Sequence, residues 1–269
     1  MPPTSPQLGQ LKARERLIVA LDVLTTTEEL ALVGKLDVVT FFKVGLQLFL
    51  AGVLSGDLRQ LLDRLCEKQL FLDLKVPGDI GNTIGAVIEV CVQTNVKFLT
   101  LSESMPRAAI EAARRARGTR QDPQLLLVPY LSSLNAEDLP AAASGVVAKV
   151  SLDEYILARA ETAIDAGCDG LIVSGQAIQA LRMKYPQSTG IILVSPGIRL
   201  AGTPRDDHKR HTTPTEAIRL GADYLVVGRP IRSAPDPREA ARRIIDEIHQ
   251  AMEEGRTATG EGPQGRRPI

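Results

Sequence analysis

Residues Leu70–Ile80 read LFLDLKVPGDI, an apolar run that ends in charged side chains. The run has the length and composition of a buried strand. Asp73 and Lys75 stand two residues apart at its end, and side chains at that spacing on a strand project from one face. An ion pair on a buried face adds little stability by itself. The stretch therefore indicates either a polar site at a strand end or ordinary surface charges, and the rest of the chain must distinguish the two.

The composition is that of a large globular protein with no strongly charged partner. Of the 269 residues, 44% are hydrophobic, which is enough to bury one α/β barrel or two smaller domains. The 32 basic residues balance the 32 acidic ones, and Trp is absent. Neither nucleic acid nor an anionic membrane is therefore expected as a partner.

The cysteines and the apolar runs indicate a cytoplasmic protein. Cys66, Cys91 and Cys168 show no metal-ligand or disulfide spacing and are expected to be reduced thiols. No apolar run approaches the roughly 18 residues of a membrane span. The segment Met1–Gln10 contains no apolar signal core.

Apolar strand-like runs alternate with helical patterns along almost the whole chain. Eight such units match a (β/α)8 TIM barrel of about 250 residues, and an open doubly wound sheet is the alternative. We expect an N-terminal extension over 1–12, a single barrel domain over 13–254 and a disordered tail over 255–269. The predicted strands are Leu17–Asp22, Val38–Gly45, the run from Leu70, Lys97–Leu101, Gln124–Tyr130, Gly170–Ser174, Ile191–Ser195 and Tyr224–Val227.

Charged side chains recur where the first three predicted strands end. Asp22 ends the first strand, Lys43 the second, and Asp73 and Lys75 the third. In barrels of this type the carboxyl ends of the strands carry the active site. Four charges at one relative position on consecutive strands favour a functional cluster over unrelated surface residues.

A second group of polar positions follows the last two strands. The seventh strand ends in Ser195–Arg199, which reads SPGIR, and the eighth in Gly228-Arg229-Pro230. Loops after these strands often bind phosphate through backbone N–H groups and a helix N-terminus. Glycine permits close approach, and arginine binds phosphate oxygens in a bidentate manner. A phosphate site is predicted at this end of the barrel.

Together these motifs resemble the orotidine 5′-phosphate decarboxylase family over roughly Leu17–Ile248. The individual motifs are modest, but their order and intervals match the family. They are Val19–Asp22, Phe42–Phe49, Asp73-Leu74-Lys75, Asp79-Ile80 with Asn82-Thr83, Ser195–Arg199, Asp206–Arg210 and Gly221–Ile231.

The resemblance implies a homodimer of barrels that decarboxylates orotidine 5′-monophosphate without a metal or an organic cofactor. Lys43, Asp73, Lys75 and Asp79 match its catalytic array, with Lys75 as proton donor and Asp79 reaching in from the partner subunit. Asp73 would lie beside the substrate carboxylate. By the same resemblance, Lys43, Asp22 and Asp79 would bind the ribose hydroxyls, and Ser132 would contact the base. The 5′-phosphate would be bound by Gly228, Arg229 and His208. Pro196 and Arg199 would also contact the substrate.

The chemistry that the resemblance implies suits these residue types. Loss of carbon dioxide leaves electron density on a carbon atom, which fixed cations stabilise when no cofactor delocalises it. A lysine between two carboxylates keeps its proton and can donate it. A phosphate remote from the reacting carbon supplies binding energy that holds the base in a strained, desolvated position.

The chain departs from the family pattern at three places. One extra residue separates Lys75 from Asp79, and the turn-forming Pro77-Gly78 is suited to absorb it. His208 replaces the usual Gln, and Glu103 lies near the place of the usual His after the fourth strand. Two alternatives stay open: a related barrel sugar-phosphate aldolase or decarboxylase that needs a divalent metal, and a non-catalytic nucleotide-binding dimer.

Overall fold

Eight parallel strands close into one barrel, and each pairs with its neighbours in chain order. The computed structural model describes residues 8–22, 25–79, 83–94, 96–131, 137, 151–200 and 212–258. The closed order confirms the predicted (β/α)8 barrel and excludes the open sheet. The strands are β1 (Leu17–Leu21), β2 (Phe41–Gly45), β3 (Gln69–Val76), β4 (Val96–Leu101), β5 (Gln124–Leu127), β6 (Gly170–Ile172), β7 (Ile192–Ser195) and β8 (Tyr224–Val227).

Helices cover the outside of the barrel. In the described residues they are α1 (Ala13–Arg16), α2 (Thr26–Lys35), α3 (Leu46–Ser55), α4 (Leu58–Arg64), α5 (Gly85–Gln93), α6 (Arg107–Arg117), α7 (Leu152–Asp165), α8 (Gln176–Lys184), α9 (Pro214–Arg219), α10 (Arg229–Arg232) and α11 (Pro237–Ala258). No helix in these ranges is both long and apolar enough to cross a membrane.

Two helices have features that the sequence pattern does not indicate. Helix α3 lacks a clear helical period in its sequence, because LQLFLAGVLS is apolar on nearly every side. It ends at Gly56, whose φ of 83° is the left-handed conformation that glycine adopts most readily. Helix α11 continues to Ala258, four residues into the segment assigned to the tail.

Alternation along the strands divides the core into two layers. Ile18, Phe41, Phe71 and Phe98 fill the barrel interior, while their neighbours in the chain pack outward against the helices. The ring centroids of Phe41 and Phe98 lie 5.0 Å apart, and those of Phe71 and Phe98 lie 5.7 Å apart. The interior is therefore closed by an aromatic layer, and side chains two residues further along the same strands stand above it.

Two carboxylates, Asp169 partly buried and Asp223 fully buried, tie strands together at the amino-terminal end of the barrel. Asp169, just before β6, accepts a hydrogen bond from the Leu125 amide at 2.7 Å and is bound by the Arg117 guanidinium. Asp223, just before β8, accepts from the Leu193 amide at 2.8 Å and from Arg182 at 2.6 Å. Each carboxylate is thus satisfied by a backbone donor and a cation, as buried charges require.

Gly170 provides the first test of this packing. A Cβ at this position would lie 2.6 Å from Ile192 Cβ and 2.9 Å from Leu126 Cδ2, closer than carbon atoms approach. We expect Gly170→Ala to lower the free energy of unfolding by about 1–3 kcal/mol, because the interior has no room for a methyl group. Urea denaturation measures this value. Gly255→Ala is the matched control, since nothing lies within 4 Å of its added Cβ; equal denaturation midpoints for the two variants would contradict the close packing at β6.

Candidate active site

Four charged side chains meet above the aromatic layer, at the carboxyl ends of β1, β2 and β3. Lys43 Nζ lies 3.0 Å from Asp22 Oδ1 and 3.1 Å from Asp73 Oδ2. Lys75 Nζ lies 2.9 Å from Asp73 Oδ1. Asp22, Lys43, Asp73 and Lys75 therefore form a continuous array of alternating charge, and the sequence prediction that they lie together is confirmed by their positions.

Asp73 is the most constrained member of the array. Its Oδ1 accepts hydrogen bonds from Lys75 and, at 2.9 Å, from the Thr100 hydroxyl, while Oδ2 faces Lys43. Burial alone raises the pKa of the carboxyl, but the two lysines and Thr100 outweigh it and lower the pKa to about 2. The ionised form of Asp73 thus stabilises the fold at pH values above the pKa of the carboxyl in the unfolded chain, about 3.9. This stabilisation is lost as the pH falls through the pKa in the folded protein, about 2.

Lys43 holds its charge although it is almost completely buried. Burial by itself lowers the pKa of the ammonium, but the negative charges of Asp73 and Asp22 exceed that effect and raise the pKa above its ordinary value. Opposite charges at about 4 Å attract by about 4 kcal/mol at an effective dielectric near 20. Lys43 therefore stays a cation and holds two carboxylates in place.

Lys75 adopts an unusual backbone conformation. Its φ of 49° is left-handed, and it is the one non-glycine residue with positive φ in the described ranges. Leu72 pairs with Leu99 and Val76 with Leu101, so four residue steps on β3 match two on β4. Lys75, which pairs with Asp73, lies within this irregularity. Strain of this kind at about 1–3 kcal/mol is found mainly at functional sites.

The array forms one wall of a cavity of about 430 Å³. The opposite wall is apolar and comes from strands β5 and β6 and helices α7 and α8. The charged and backbone positions around the cavity are Asp22, Lys43, Asp73, Lys75, Pro196, Gly197, Arg199, Gly228, Arg229 and Arg232, and the apolar ones include Val128, Tyr130, Ile156, Ile172 and Ala177.

The positions predicted for a phosphate site, Arg199, Gly228 and Arg229, line this cavity. Gly228 directly follows β8, and an added Cβ there would lie 3.7 Å from Ala20 Cβ and 3.9 Å from Asp22 Oδ2. Arg229 begins α10. Arg199 is buried, and its Nη1 donates to the Ile198 carbonyl at 2.8 Å. Arg199, Arg229 and Arg232 thus line the cavity in addition to the alternating array.

Two further residues that the sequence singled out, Asp79 and Glu103, are not part of the cavity wall. Asp79 is exposed and accepts a hydrogen bond from the Thr83 hydroxyl at 3.4 Å, outside the wall of the cavity. Ser132 and His208 lie outside the described residues. Glu103 does not line the cavity; its carboxylate accepts from Ser102 at 3.2 Å. The extra acidic residue after β4 is thus directed away from the array.

Sequence reasoning missed two polar residues of the site. Thr100 is fully buried in β4, within the stretch for which the sequence predicts an apolar strand. A signal for it exists: it stands two residues after Phe98, as Lys43 follows Phe41 and Asp73 follows Phe71. Arg232 lies three residues after Arg229, a spacing that places both on one face of a helix.

Comparison with known proteins gives a consistent result. Residues 15–244 match the model of the "Orotidine 5'-phosphate decarboxylase / HUMPS family". The chain is 41% identical to an orotidine 5′-phosphate decarboxylase of Ruegeria pomeroyi, covering 88% of this chain and 95% of that protein. It is 40% identical to one of Methylococcus capsulatus, covering 90% and 95%. The crystal structure of the decarboxylase from Lactobacillus acidophilus superposes with a TM-score of 0.68 at 28% identity, covering 86% of this chain and 98% of that one.

The hydrogen bond between Thr100 and Asp73 can be tested by an isosteric pair of variants. Thr100→Val removes the hydroxyl but keeps the shape, so we expect the pKa of Asp73 to rise and the free energy of unfolding to fall by about 1–3 kcal/mol. Thr100→Ser keeps the hydroxyl and should leave the pKa near the wild-type value. Carboxyl ¹³C NMR titration measures the pKa. If the pKa of Asp73 is the same in Thr100→Val as in the wild type, the hydrogen bond has no electrostatic effect on Asp73.

Proposed function

This chain belongs to the orotidine 5′-phosphate decarboxylase / HUMPS family, and we propose that it converts orotidine 5′-monophosphate to uridine 5′-monophosphate in pyrimidine nucleotide synthesis. The observation that carries the proposal is the array Asp22–Lys43–Asp73–Lys75 on the wall of a cavity that three arginines also line. The array offers a proton donor and carboxylates, and Gly228 and the arginines are groups suited to binding phosphate.

Asp73 and Lys75 would carry the reaction itself. Asp73 is ionised at neutral pH, so a substrate carboxylate placed beside it is repelled until it leaves as carbon dioxide. The electron pair of the broken carbon–carbon bond remains on C6 of the pyrimidine. The Lys75 ammonium, held at 2.9 Å from Asp73, transfers a proton to that carbon and forms the new C–H bond.

The other members of the site would bind and orient the substrate. Lys43 and Asp22 bind ribose hydroxyls, and Gly228 and Arg229 bind the 5′-phosphate, with Pro196 and Arg199 along the same wall. Contacts far from the reacting carbon supply binding energy that offsets the repulsion at Asp73. Ser132 and His208 keep their proposed contacts with the base and the phosphate.

The exposed face of α3 supports a homodimer. Leu46, Leu50, Val53 and Leu54 are 49%, 48%, 50% and 87% exposed, and they recur at helical spacing on one side. Contiguous exposed apolar surface of this kind marks an interaction site. Because α3 directly follows the strand that carries Lys43, a second subunit docked there lies beside the array. We propose that Asp79 of the partner subunit completes the site across this interface.

The same proposal includes a cytoplasmic location and independence of metals and cofactors. Cys66, Cys91 and Cys168 are free thiols, which suits a reducing compartment. In the described ranges, His, Cys, Asp and Glu side chains form no group of three arranged to hold a metal ion. The metal-dependent alternative and the non-catalytic alternative each make a different prediction for turnover.

Lys75→Ala tests the reaction directly. We expect it to lower turnover of orotidine 5′-monophosphate by about 10²-fold or more, since the general acid is lost, while binding of uridine 5′-monophosphate persists. The decrease in substrate absorbance measures the rate, with and without EDTA, and Lys35→Ala on the exposed side of α2 is the control. Undiminished turnover in Lys75→Ala would disprove the proton donor. Loss of wild-type activity in EDTA would favour a metal enzyme, and binding without turnover a non-catalytic dimer.

Leu54→Glu tests the interface. A carboxylate buried there without a partner should dissociate the dimer, and loss of the partner's Asp79 should lower turnover. Sedimentation velocity gives the oligomeric state. Met183→Glu is the matched control, because Met183 is an equally apolar residue, 78% exposed on α8, and should stay dimeric. Mixed Asp79→Ala and Lys75→Ala subunits should regain some activity; a fully active Leu54→Glu monomer would show that no residue is shared.

A further inference from the structure

Arg232 lines the cavity but belongs to none of the roles described above. It closes the short helix α10, three residues after Arg229, so the two side chains extend from neighbouring positions on one side of that helix. Its Nη1 donates a hydrogen bond to the main-chain carbonyl of Asp22. The side chain is half-buried, and this hydrogen bond holds it at the wall of the cavity.

The distribution of charge around the cavity gives this arginine a specific place. The array contains two lysines and two carboxylates and is neutral as a whole. The surplus positive charge on the wall therefore comes entirely from three arginines, Arg199, Arg229 and Arg232. The hydrogen-bond acceptor of Arg232 is an uncharged carbonyl, and in the described part of the chain Arg232 forms no ion pair. Its charge thus remains available to an anionic ligand.

We propose that Arg232 is a second guanidinium for the 5′-phosphate, acting together with Arg229 and held in place by the Asp22 carbonyl. The inference rests on the proposed function, which provides a phosphorylated nucleotide as ligand. A phosphate dianion presents more oxygen atoms than one guanidinium satisfies, and charge-assisted bonds to it are the stronger class of hydrogen bond. Because the same guanidinium donates to the main chain of Asp22, it also links the proposed phosphate contact to the strand end that carries Asp22.

The test compares two ligands that differ only in the phosphate. Dissociation constants for uridine 5′-monophosphate and uridine are measured by isothermal titration calorimetry on the full chain. We expect Arg232→Met to weaken nucleotide binding by about tenfold or more and to leave uridine binding within about twofold. Arg232→Lys keeps the charge but not the planar fork, so it should restore part of the loss.

A matched control removes the same charge elsewhere. Arg242→Met, on the exposed side of α11, should change neither constant, and thermal unfolding shows whether each variant is folded. Arg232→Gln serves as the second neutral variant if Arg232→Met unfolds.

Three results would overturn the assignment. One is unchanged nucleotide binding in Arg232→Met, and another is equal weakening of both ligands, which would mean that Arg232 acts only through Asp22. The third is a wild-type protein that binds uridine as well as its 5′-monophosphate. A wild type that prefers the nucleotide but does not decarboxylate orotidine 5′-monophosphate would contradict the proposed function and leave the Arg232 comparison valid.

Discussion

Asp73 is a carboxylate removed from water that stays ionised because three donors surround it. Lys43 comes from β2, Thr100 from β4 and Lys75 from the irregular end of β3 itself. No single element can supply these donors, so the charge on Asp73 depends on the closure of the barrel at the first four strands. Asp73 and Lys43 each keep the other ionised. Buried alone, Asp73 would take up a proton and Lys43 would lose one, whereas together both keep their charge. The site is thus an electrostatic unit that exists only in the folded protein.

The sequence anticipates this unit through the ends of the strands. Asp22, Lys43, Asp73 and Lys75 stand out because charges that terminate apolar runs are conspicuous, and parallel strands bring their carboxyl ends to one rim. Thr100 does not stand out, because a hydroxyl within a buried strand resembles a residue that favours strands. The Phe-x-polar spacing shared by β2, β3 and β4 is the pattern that unites Phe41 with Lys43, Phe71 with Asp73 and Phe98 with Thr100.

Other features depend on tertiary structure and cannot be obtained from periodicity. The left-handed φ of Lys75 compensates for two extra residues on β3, which only the pairing with β4 defines. Helix α3 exposes apolar side chains and therefore lacks the amphipathic pattern by which surface helices are recognised. Both features lie beside the array, and local rules are expected to fail mainly at functional or interacting surfaces.

The two ends of the barrel show why position on a strand separates a structural charge from a functional one. Asp169 and Asp223 precede β6 and β8. Each accepts hydrogen bonds from a backbone amide and from an arginine of the outer layer. Asp22 follows β1 and Asp73 lies in the carboxyl-terminal half of β3, and their cations lie on the wall of a cavity. All four carboxylates stand next to apolar strands, so composition does not distinguish them. The direction of the chain does distinguish them. A charge before a parallel strand lies at the closed end of the barrel, where hydrogen bonds and ion pairs with protein groups stabilise the fold. A charge at the carboxyl end of a strand lies at the open end, where its ion pairs are accessible to a ligand and can take part in chemistry.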